Sequence, residues 1–575
     1  MIQLQNITKS YGDQKLFEGL SINVEKGEKI GLVGRNGSGK STLLRLIIGH
    51  ETLDQGEIQT AKEYKIGTLE QHTAFHEPTV FLEAALGLPP ADSDKHYLVE
   101  KILFGLGFNE EQINNPPSKC SGGYQLRLKL AKVLLSDPDC LLLDEPTNYL
   151  DIVSIRWLEH YLQRWRGELI LVSHDREFMD QVTTHTIGIH RHRLRKYKGD
   201  TETYFTQILQ EEEIYEKTRQ KLSQKKEHVE RFINRFGAKA TKAKQAQSKL
   251  KALNRMPVLE KLAQLEQLDF AFNVAPMPGK KVLIADGLTF SYDEKPLIQN
   301  LSFRLEKGER IAIIGKNGRG KSTLLRLLAG DLELKNGTLD TSPNLEIGYF
   351  GQTNIERLNP NATIEEEIGQ VNLQLNRTEI KRICGAMMFT GDLAGKPNRV
   401  LSGGERSRVL LGKILAKKCN LLLLDEPTHH LDMESIESLI AALEAFDGTV
   451  VIVTHSELIL NTIPFDALIV CREQQQEYFP YSYEEFLAKG GWEETKKTPK
   501  EKKERPEKPK TNTKKTLELL ETQISTKEKE LALIEQTLIT KAGSGSRPEL
   551  EKLGQEADAK RKEIEKLYVD WESLQ

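Results

Sequence analysis

The sequence predicts an α/β fold built twice, each copy a mainly parallel core sheet covered by helices, with a long helical-hairpin linker between the copies and a C-terminal α-helical coiled-coil hairpin. Three observations point to it. Short apolar runs ending in acids, CLLLDE before Pro146 and LLLLDE before Pro427, alternate with helical patterns. Glycine-rich turns join strand to helix in GLVGRNGSGKSTLLRLIIG (Gly31–Gly49) and AIIGKNGRGKSTLLRLLAG (Ala312–Gly330). Finally, one offset of 281 positions joins Tyr11 to Tyr292, Lys40 to Lys321, Gln71 to Gln352, Ser121 to Ser402, Asp144 to Asp425, Asp151 to Asp432 and His174 to His455.

Landmarks held in register mean a duplicated domain with no net insertion between the first and last of them. The expected organisation is a first domain at 1–199, a helical linker at 200–280 and a second domain at 281–487. A flexible charged segment at 488–513 and the coiled-coil hairpin at 514–575 follow.

Composition narrows the class. The 575 residues are 38% hydrophobic and 29% charged, and 81 basic residues nearly balance 84 acidic ones. Any affinity for nucleic acid must therefore come from local segregation of charge. Cys120, Cys140, Cys384, Cys419 and Cys471 are scattered with no CxxC pair. That argues against a disulfide framework or a zinc or iron–sulfur site and for a reducing cytoplasm. The N-terminal MIQLQNITKSYG reads as strand at once, leaving no room for a signal peptide. No apolar run approaches the ~20 residues that span a bilayer.

The glycine turns match GxxxxGK[ST]. Gly34, Gly37 and Gly39, with Gly315, Gly318 and Gly320, let backbone N–H groups (those of Asn36 and Asn317 included) curl round phosphate oxygens at a helix N-terminus. Lys40 and Lys321 would reach the terminal phosphates of ATP, and Ser41 and Ser322, followed by Thr42 and Thr323, would ligate Mg²⁺. Asp144 and Asp425 end strands beside that metal, while Glu145 and Glu426 are placed to polarise the attacking water. A strand ending in two acids is commonplace alone; after a phosphate loop it is not.

With Ser121-Gly122-Gly123 and Ser402-Gly403-Gly404, these motifs closely resemble the ATP-binding-cassette superfamily. The resemblance implies that Tyr11 and Tyr292 stack on adenine. It makes Gln71 and Gln352 the loop glutamines near metal and water, and His174 and His455 the histidines that contact the terminal phosphate. Two cassettes of one chain would close head to tail, pairing Lys40 with Ser402 and Gly404, and Lys321 with Ser121 and Gly123. Both copies keep lysine, aspartate, glutamate and histidine, so two hydrolysing sites are expected. Cys120 and Tyr124 depart from the superfamily's usual Leu and Gln or Glu.

The linker narrows the branch. Arg235–Arg255, RFGAKATKAKQAQSKLKALNR, holds seven basic residues and no acid. An exposed helix face normally mixes signs for i,i+4 support, so the strip calls for a polyanion. Tandem cassettes, PTNYLD and PTHHLD after the glutamates, SHDREFMD (Ser173–Asp180) and FINRF…AKATKAKQAQSK together resemble the ABC-F family over about residues 1–487. That family implies ATP-dependent binding to the ribosome, with Arg235, Lys239, Lys242, Lys244, Lys249 and Lys251 facing ribosomal RNA or peptidyl-tRNA. The family's helical arm is not expected, since Gln71–Ser121 and Gln352–Ser402 are equally long and GLPPADSDKHY (Gly87–Tyr97) has room for a loop only.

In the tail, Leu517, Leu520, Ile524, Leu531, Ile534 and Leu538 oppose Trp571, Leu567, Ile564, Ala557, Leu553 and Leu550 at heptad spacing, with Lys527 facing Lys560 midway. A DNA or RNA contact there follows from some relatives by resemblance. Two other readings stand beside the ribosomal one: the energising subunit of a sugar or other importer, and a DNA-associated ATPase using the tail. A monomer with intramolecular cassette pairing is expected. His190 and His192 are read as alternate residues on one solvent-facing strand rather than as a metal site.

Overall fold

A computed structural model of the chain describes residues 2–492 apart from 13, 70–74, 149, 192, 237–267, 269, 293–295, 352–357, 430 and 473–474, together with Lys527 and Lys560. Met1–Glu493 form one compact unit and Glu494–Gln575 another. In the second unit, Lys527 and Lys560 are helical and half-buried; the rest of the coiled-coil expectation lies outside the described residues. Gln71, Gln352, Lys239, Lys242, Lys244, Lys249 and Lys251 also lie outside them.

The first half contains strands β1 (Ile2–Tyr11), β2 (Gln14–Val24), β3 (Lys29–Val33), β4 (Gln55–Thr60), β5 (Ile66–Thr68), β6 (Cys140–Asp144), β7 (Glu168–Val172), β8 (His185–His190) and β9 (Arg193–Lys198). They form a six-stranded sheet ordered β5-β6-β7-β3-β8-β9 and a separate three-stranded sheet ordered β2-β1-β4. The larger is parallel except for the β8–β9 hairpin. The smaller is antiparallel. Along β1, Ile2, Leu4, Ile7 and Lys9 are buried while Gln5, Asn6 and Tyr11 are exposed, the pattern of a one-sided sheet. The helices that carry the site are α1 (Lys40–Ile47), α2 (Gly122–Leu135) and α3 (Ile152–Arg164).

After β9 comes α4 (Thr201–Phe236), which contains Arg235. Tyr204 and Ile208 root α4 in the first half's core. The acids of this helix turn back on the sheet edge: Glu212 meets Arg191 at 2.6 Å and Glu211 meets Arg195 at 3.3 Å. His190 ends β8, the chain turns at Arg191 (φ 48°), and His190 Nε2 lies 2.8 Å from Glu212 Oε1; the expectation for His192 lies outside the described residues. Among the described residues no three His, Cys, Asp or Glu are grouped to hold a metal.

The second half repeats the plan. Its strands are β10 (Asn273–Val274), β11 (Lys281–Phe290), β12 (Ile298–Glu306), β13 (Arg310–Gly315), β14 (Asn336–Thr341), β15 (Ile347–Phe350), β16 (Lys418–Cys419), β17 (Leu421–Asp425), β18 (Thr449–Val453), β19 (Ala467–Arg472) and β20 (Gln475–Phe479). Sheet order is β15-β17-β18-β13-β19-β20, with β12-β11-β14 beside it. Helices α5 (Lys321–Leu328), α6 (Gly403–Leu415) and α7 (Met433–Glu444) match the first three. Every residue of β17 is buried, because both faces of the sheet are covered, one by helices and the other by α5 together with the small antiparallel sheet. Leu421 and Leu423 join one core cluster and Leu422 and Leu424 another, so the strand's alternation feeds two layers.

The constant offset conceals one local shift. Ten residues, 86–95, separate helices Val80–Ala85 and His96–Gly105, whereas seven, 370–376, separate Ile364–Gly369 and Arg377–Ala386. The first of these loops contains a single 3₁₀ turn, Pro90–Asp92, and His96 and Tyr97 already belong to the following helix.

Candidate functional site

Each phosphate-loop motif lies between a buried central strand and a short helix: Gly34–Ser41 between β3 and α1, and Gly315–Ser322 between β13 and α5. The turns need glycine. Gly315 has φ 142°, and a Cβ there would come within 2.3 Å of the Cys471 carbonyl oxygen. Gly39 and Gly320 cap their helices in the left-handed region, at φ 100° and 88°. In this geometry each lysine folds back over its own loop. Lys40 Nζ donates to the Gly34 and Arg35 carbonyls at 2.6 and 3.2 Å. Lys321 Nζ donates to the Gly315 and Lys316 carbonyls at 2.9 and 3.0 Å and to Asn317 Oδ1 at 3.1 Å. Burial pushes both ammonium pKa values down, and the nearby carboxylates, Glu145 for Lys40 and Glu426 for Lys321, oppose that fall without cancelling it.

The acidic pair follows at the ends of β6 and β17. Ser322 Oγ donates to Asp425 Oδ1 at 3.1 Å, and Ser41 and Asp144 line one cavity. Glu145 and Glu426 adopt left-handed φ of 51° and 48°, held by backbone N–H bonds of 2.9 Å to the Val172 and Val453 carbonyls. Strained backbone of this kind costs energy that the surrounding structure must supply. Burial pushes the Glu145 carboxyl up to about 8, with Asp144 adding to the rise. Burial raises Glu426 as well, while Lys321 opposes it. The backbone N–H groups of His174 and His455 donate to these glutamates at 3.3 and 3.2 Å. Each imidazole Nε2 lies 3.4 Å from the same carboxylate. Burial and the Lys321 charge hold His455 well below its ordinary pKa, so it is neutral.

The two halves meet at these loops. A cavity of about 740 Å³ is lined by Tyr11, Asn36, Gly37, Gly39, Lys40, Ser41, Thr42, Asp144, Glu145 and His174 of the first half and by Ser402, Gly403 and Gly404 of the second. Asn36 N donates to Asp432 Oδ2 at 3.2 Å, and Asn317 N donates to Asp151 Oδ2, also at 3.2 Å. Asp151 and Asp432 cap α3 and α7, accepting from Ser154 and Ser435 N–H groups, so a helix cap doubles as a cross-half contact. Arg127, 2% exposed, extends from α2 to Asp151 Oδ2 (3.4 Å) and donates to the Leu106 carbonyl at 2.8 Å. Sequence reasoning used Asp151 and Asp432 only as repeat landmarks and passed over Arg127; their shared offset was the available signal. Tyr11 and Tyr292 are 46% and 55% exposed, which suits a stacking surface. Tyr11 is backed by Lys9 Nζ at 5.0 Å and Tyr292 by the edge-on Phe290 ring at 5.0 Å.

The residues present fit a nucleotide triphosphate with a hard divalent cation. Glu145 Oε1, Glu426 Oε1 and His455 Nδ1 are buried without a hydrogen-bond partner among the described residues, and the Ser–Asp oxygens have the chemistry Mg²⁺ prefers.

A family model described as ABC transporter matches residues 17–148 and 298–429, and another so described matches 187–272. The probable ATP-binding protein YbiT of Escherichia coli O157:H7 is 35% identical over 531 residues, 86% of this chain and 100% of that relative. ATP-binding cassette sub-family F member 3 of Mus musculus is 35% identical over 513 residues, 82% of this chain and 70% of the relative. Among solved structures, the RNase-L Inhibitor superposes with TM-score 0.59 at 19% identity, covering 84% of this chain and 92% of the other. A model of ribosome-bound archaeal Pelota and ABCE1 gives TM-score 0.58 at 19% identity, covering 84% and 80%. These two likenesses concern the fold. Among the described residues no helix is long and apolar enough to cross a membrane.

Proposed function

Because this chain belongs to the ABC-F family of tandem ATP-binding-cassette ATPases, we propose that it couples ATP hydrolysis to ATP-dependent binding of the ribosome in the cytoplasm and acts there on translation. It would rescue stalled complexes or protect the ribosome from an antibiotic. The observation that carries the ribosomal part is the strip Arg235–Arg255, with seven basic residues and no acid. Arg235, Lys239, Lys242, Lys244, Lys249 and Lys251 would neutralise backbone phosphates of ribosomal RNA or peptidyl-tRNA without reading sequence. At the level of fold, the chain is similar to ABCE1 as it stands in a model of a ribosome-bound complex. The C-terminal hairpin is a further candidate for RNA or DNA contact.

In the proposed reaction each ATP lies between one half's phosphate loop and the other half's Ser-Gly-Gly motif. Lys40 and Lys321 unfold from their loop carbonyls to the terminal phosphates. Tyr11 and Tyr292 stack on the base. Ser41 with Asp144, and Ser322 with Asp425, would hold Mg²⁺ with the loop glutamines Gln71 and Gln352, and bound Mg²⁺ neutralises phosphate charge. Glu145 and Glu426 accept the proton of the attacking water; a pKa raised by burial toward the working pH suits a general base. His174 and His455 orient the terminal phosphate, and Asp151 and Asp432 tie each phosphate loop to the opposite half.

Cosedimentation of the Glu145→Gln/Glu426→Gln chain with ribosomes tests this. ATP-dependent comigration is expected, weakened by reversing the charges of Lys239, Lys242 and Lys244. No comigration with any nucleotide would sink the ribosomal reading.

A further inference from the structure

The residue after Ser-Gly-Gly differs between the halves, and the difference reaches the serine. In the second half Ser402 and Glu405 cap α6 reciprocally. Glu405 N donates to Ser402 Oγ at 3.3 Å, while Ser402 N and the Ser402 hydroxyl both donate to Glu405 Oε2 at 2.8 Å. The hydroxyl proton is committed to a carboxylate. In the first half Tyr124 takes that place. Its ring packs on Phe108 (5.2 Å) with the Arg127 guanidinium 4.8 Å from its centroid. Ser121 starts α2 without a side-chain cap hydrogen bond.

Charge separates the sites in the same direction. Arg127 pairs with Asp151, and its counterpart Arg408 feels both Asp432 and Glu405. Glu405 is thus one additional anion, and it lines the cavity that contains Lys40. In the other phosphate loop Arg319 stands where the first has Ser38, one additional cation at the same offset.

We infer that the two ATP sites are unequal and that Glu405 is the positioning residue that makes the Lys40–Ser402 site release nucleotide first. Ser402 must surrender a hydrogen bond to a carboxylate before it can donate to a phosphate, and that carboxylate repels the phosphate. Ser121 meets neither cost. The inference rests on the pairing of Lys321 with Ser121 proposed above.

The test uses the full-length Glu145→Gln/Glu426→Gln chain, loaded with a fluorescent N-methylanthraniloyl ATP and Mg²⁺ and chased with unlabelled ATP. Two nucleotides per chain and two release phases roughly tenfold apart are expected. Adding Glu405→Gln retains an acceptor for the Ser402 N–H but removes the charge. It slows the fast phase toward the slow one and leaves the slow phase in place. A residue that merely caps the helix would be replaced by glutamine without effect on either phase. Tyr124→Glu accelerates the slow phase; should circular dichroism show that this chain is unfolded, Glu405→Gln decides alone. Equal release rates, or a fast phase that Glu405→Gln leaves unchanged or accelerates, overturn the inference. Fewer than two bound nucleotides would instead sink the pairing of sites.

Discussion

Lys321 is held more tightly than Lys40. Three acceptors surround its ammonium, and one of them, Asn317 Oδ1, also lies 3.0 Å from His455 Nε2. Lys40 rests on two carbonyls in a cavity open to Ser402. Across the contact the order persists: Arg127 behind Asp151 is buried, whereas Arg408 behind Asp432 reaches the cavity. The comparison teaches that duplication preserved backbone course and the candidate catalytic groups, while the polar networks around them diverged. Networks of this kind are cooperative, so small exchanges such as Asn148 for His429 and Tyr124 for Glu405 can alter one site without disturbing the fold.

The largest expected effect is on chemistry. Glu145→Gln/Glu426→Gln should lower ATP turnover at least about a hundredfold, the range of a lost general base. The single variants, assayed side by side for phosphate release, show whether one half dominates; equal residual rates would erase the functional side of the comparison. Next in size, Asp151→Ala should destabilise the chain more than Asp432→Ala, by about 3 kcal/mol against about 1–2 kcal/mol. It leaves the buried Arg127 without its carboxylate. Urea unfolding with matched slopes compares them, and equal losses would show that Arg127 finds other compensation.

A pH effect shared by both halves comes third. Burial raises the Glu145 carboxyl to about 8 from its ordinary 4.5, and raises Glu426 in the same direction. A raised carboxyl stabilises the folded state fully below its unfolded value, and that contribution disappears as the pH climbs through the folded value. The nucleotide-free protein should therefore melt at lower temperature at pH 8.5 than at pH 5.5, and the double Gln variant should lose less over that window. Parallel decline of the two proteins would contradict it. The smallest effect belongs to the two rings proposed to stack on the base. Tyr11→Ala and Tyr292→Ala should each weaken ATP binding about three- to tenfold at their own site, as read by fluorescent-nucleotide titration.

Much of the candidate site was legible because its motifs are local. Gly34–Ser41 and Gly315–Ser322 form their loops within single short segments, and strands such as LLLLD announce their burial by composition. Asp151 was visible as a repeated letter but not as a ligand of Asn317 N, since that bond joins residues 166 positions apart. The committed hydroxyl of Ser402 also escaped notice. Ser-x-x-Glu is a helix-start pattern in any sequence, and its importance comes from the cavity beside it.

The sequence by itself determined the duplicated α/β plan, the two glycine-rich strand-to-helix loops and the place of the acidic residues that follow them, because periodicity and contiguous motifs act within a few residues. Only the tertiary structure decided that the loop after Val80–Ala85 is three residues longer than its counterpart, offset elsewhere so that the overall register survives. It also decided that each half's capping aspartate closes on the other half's loop and that the two signature serines differ in their bonds. Those features depend on which surfaces meet, and non-local contacts are selected by packing of whole elements rather than by the residues' own conformational preferences.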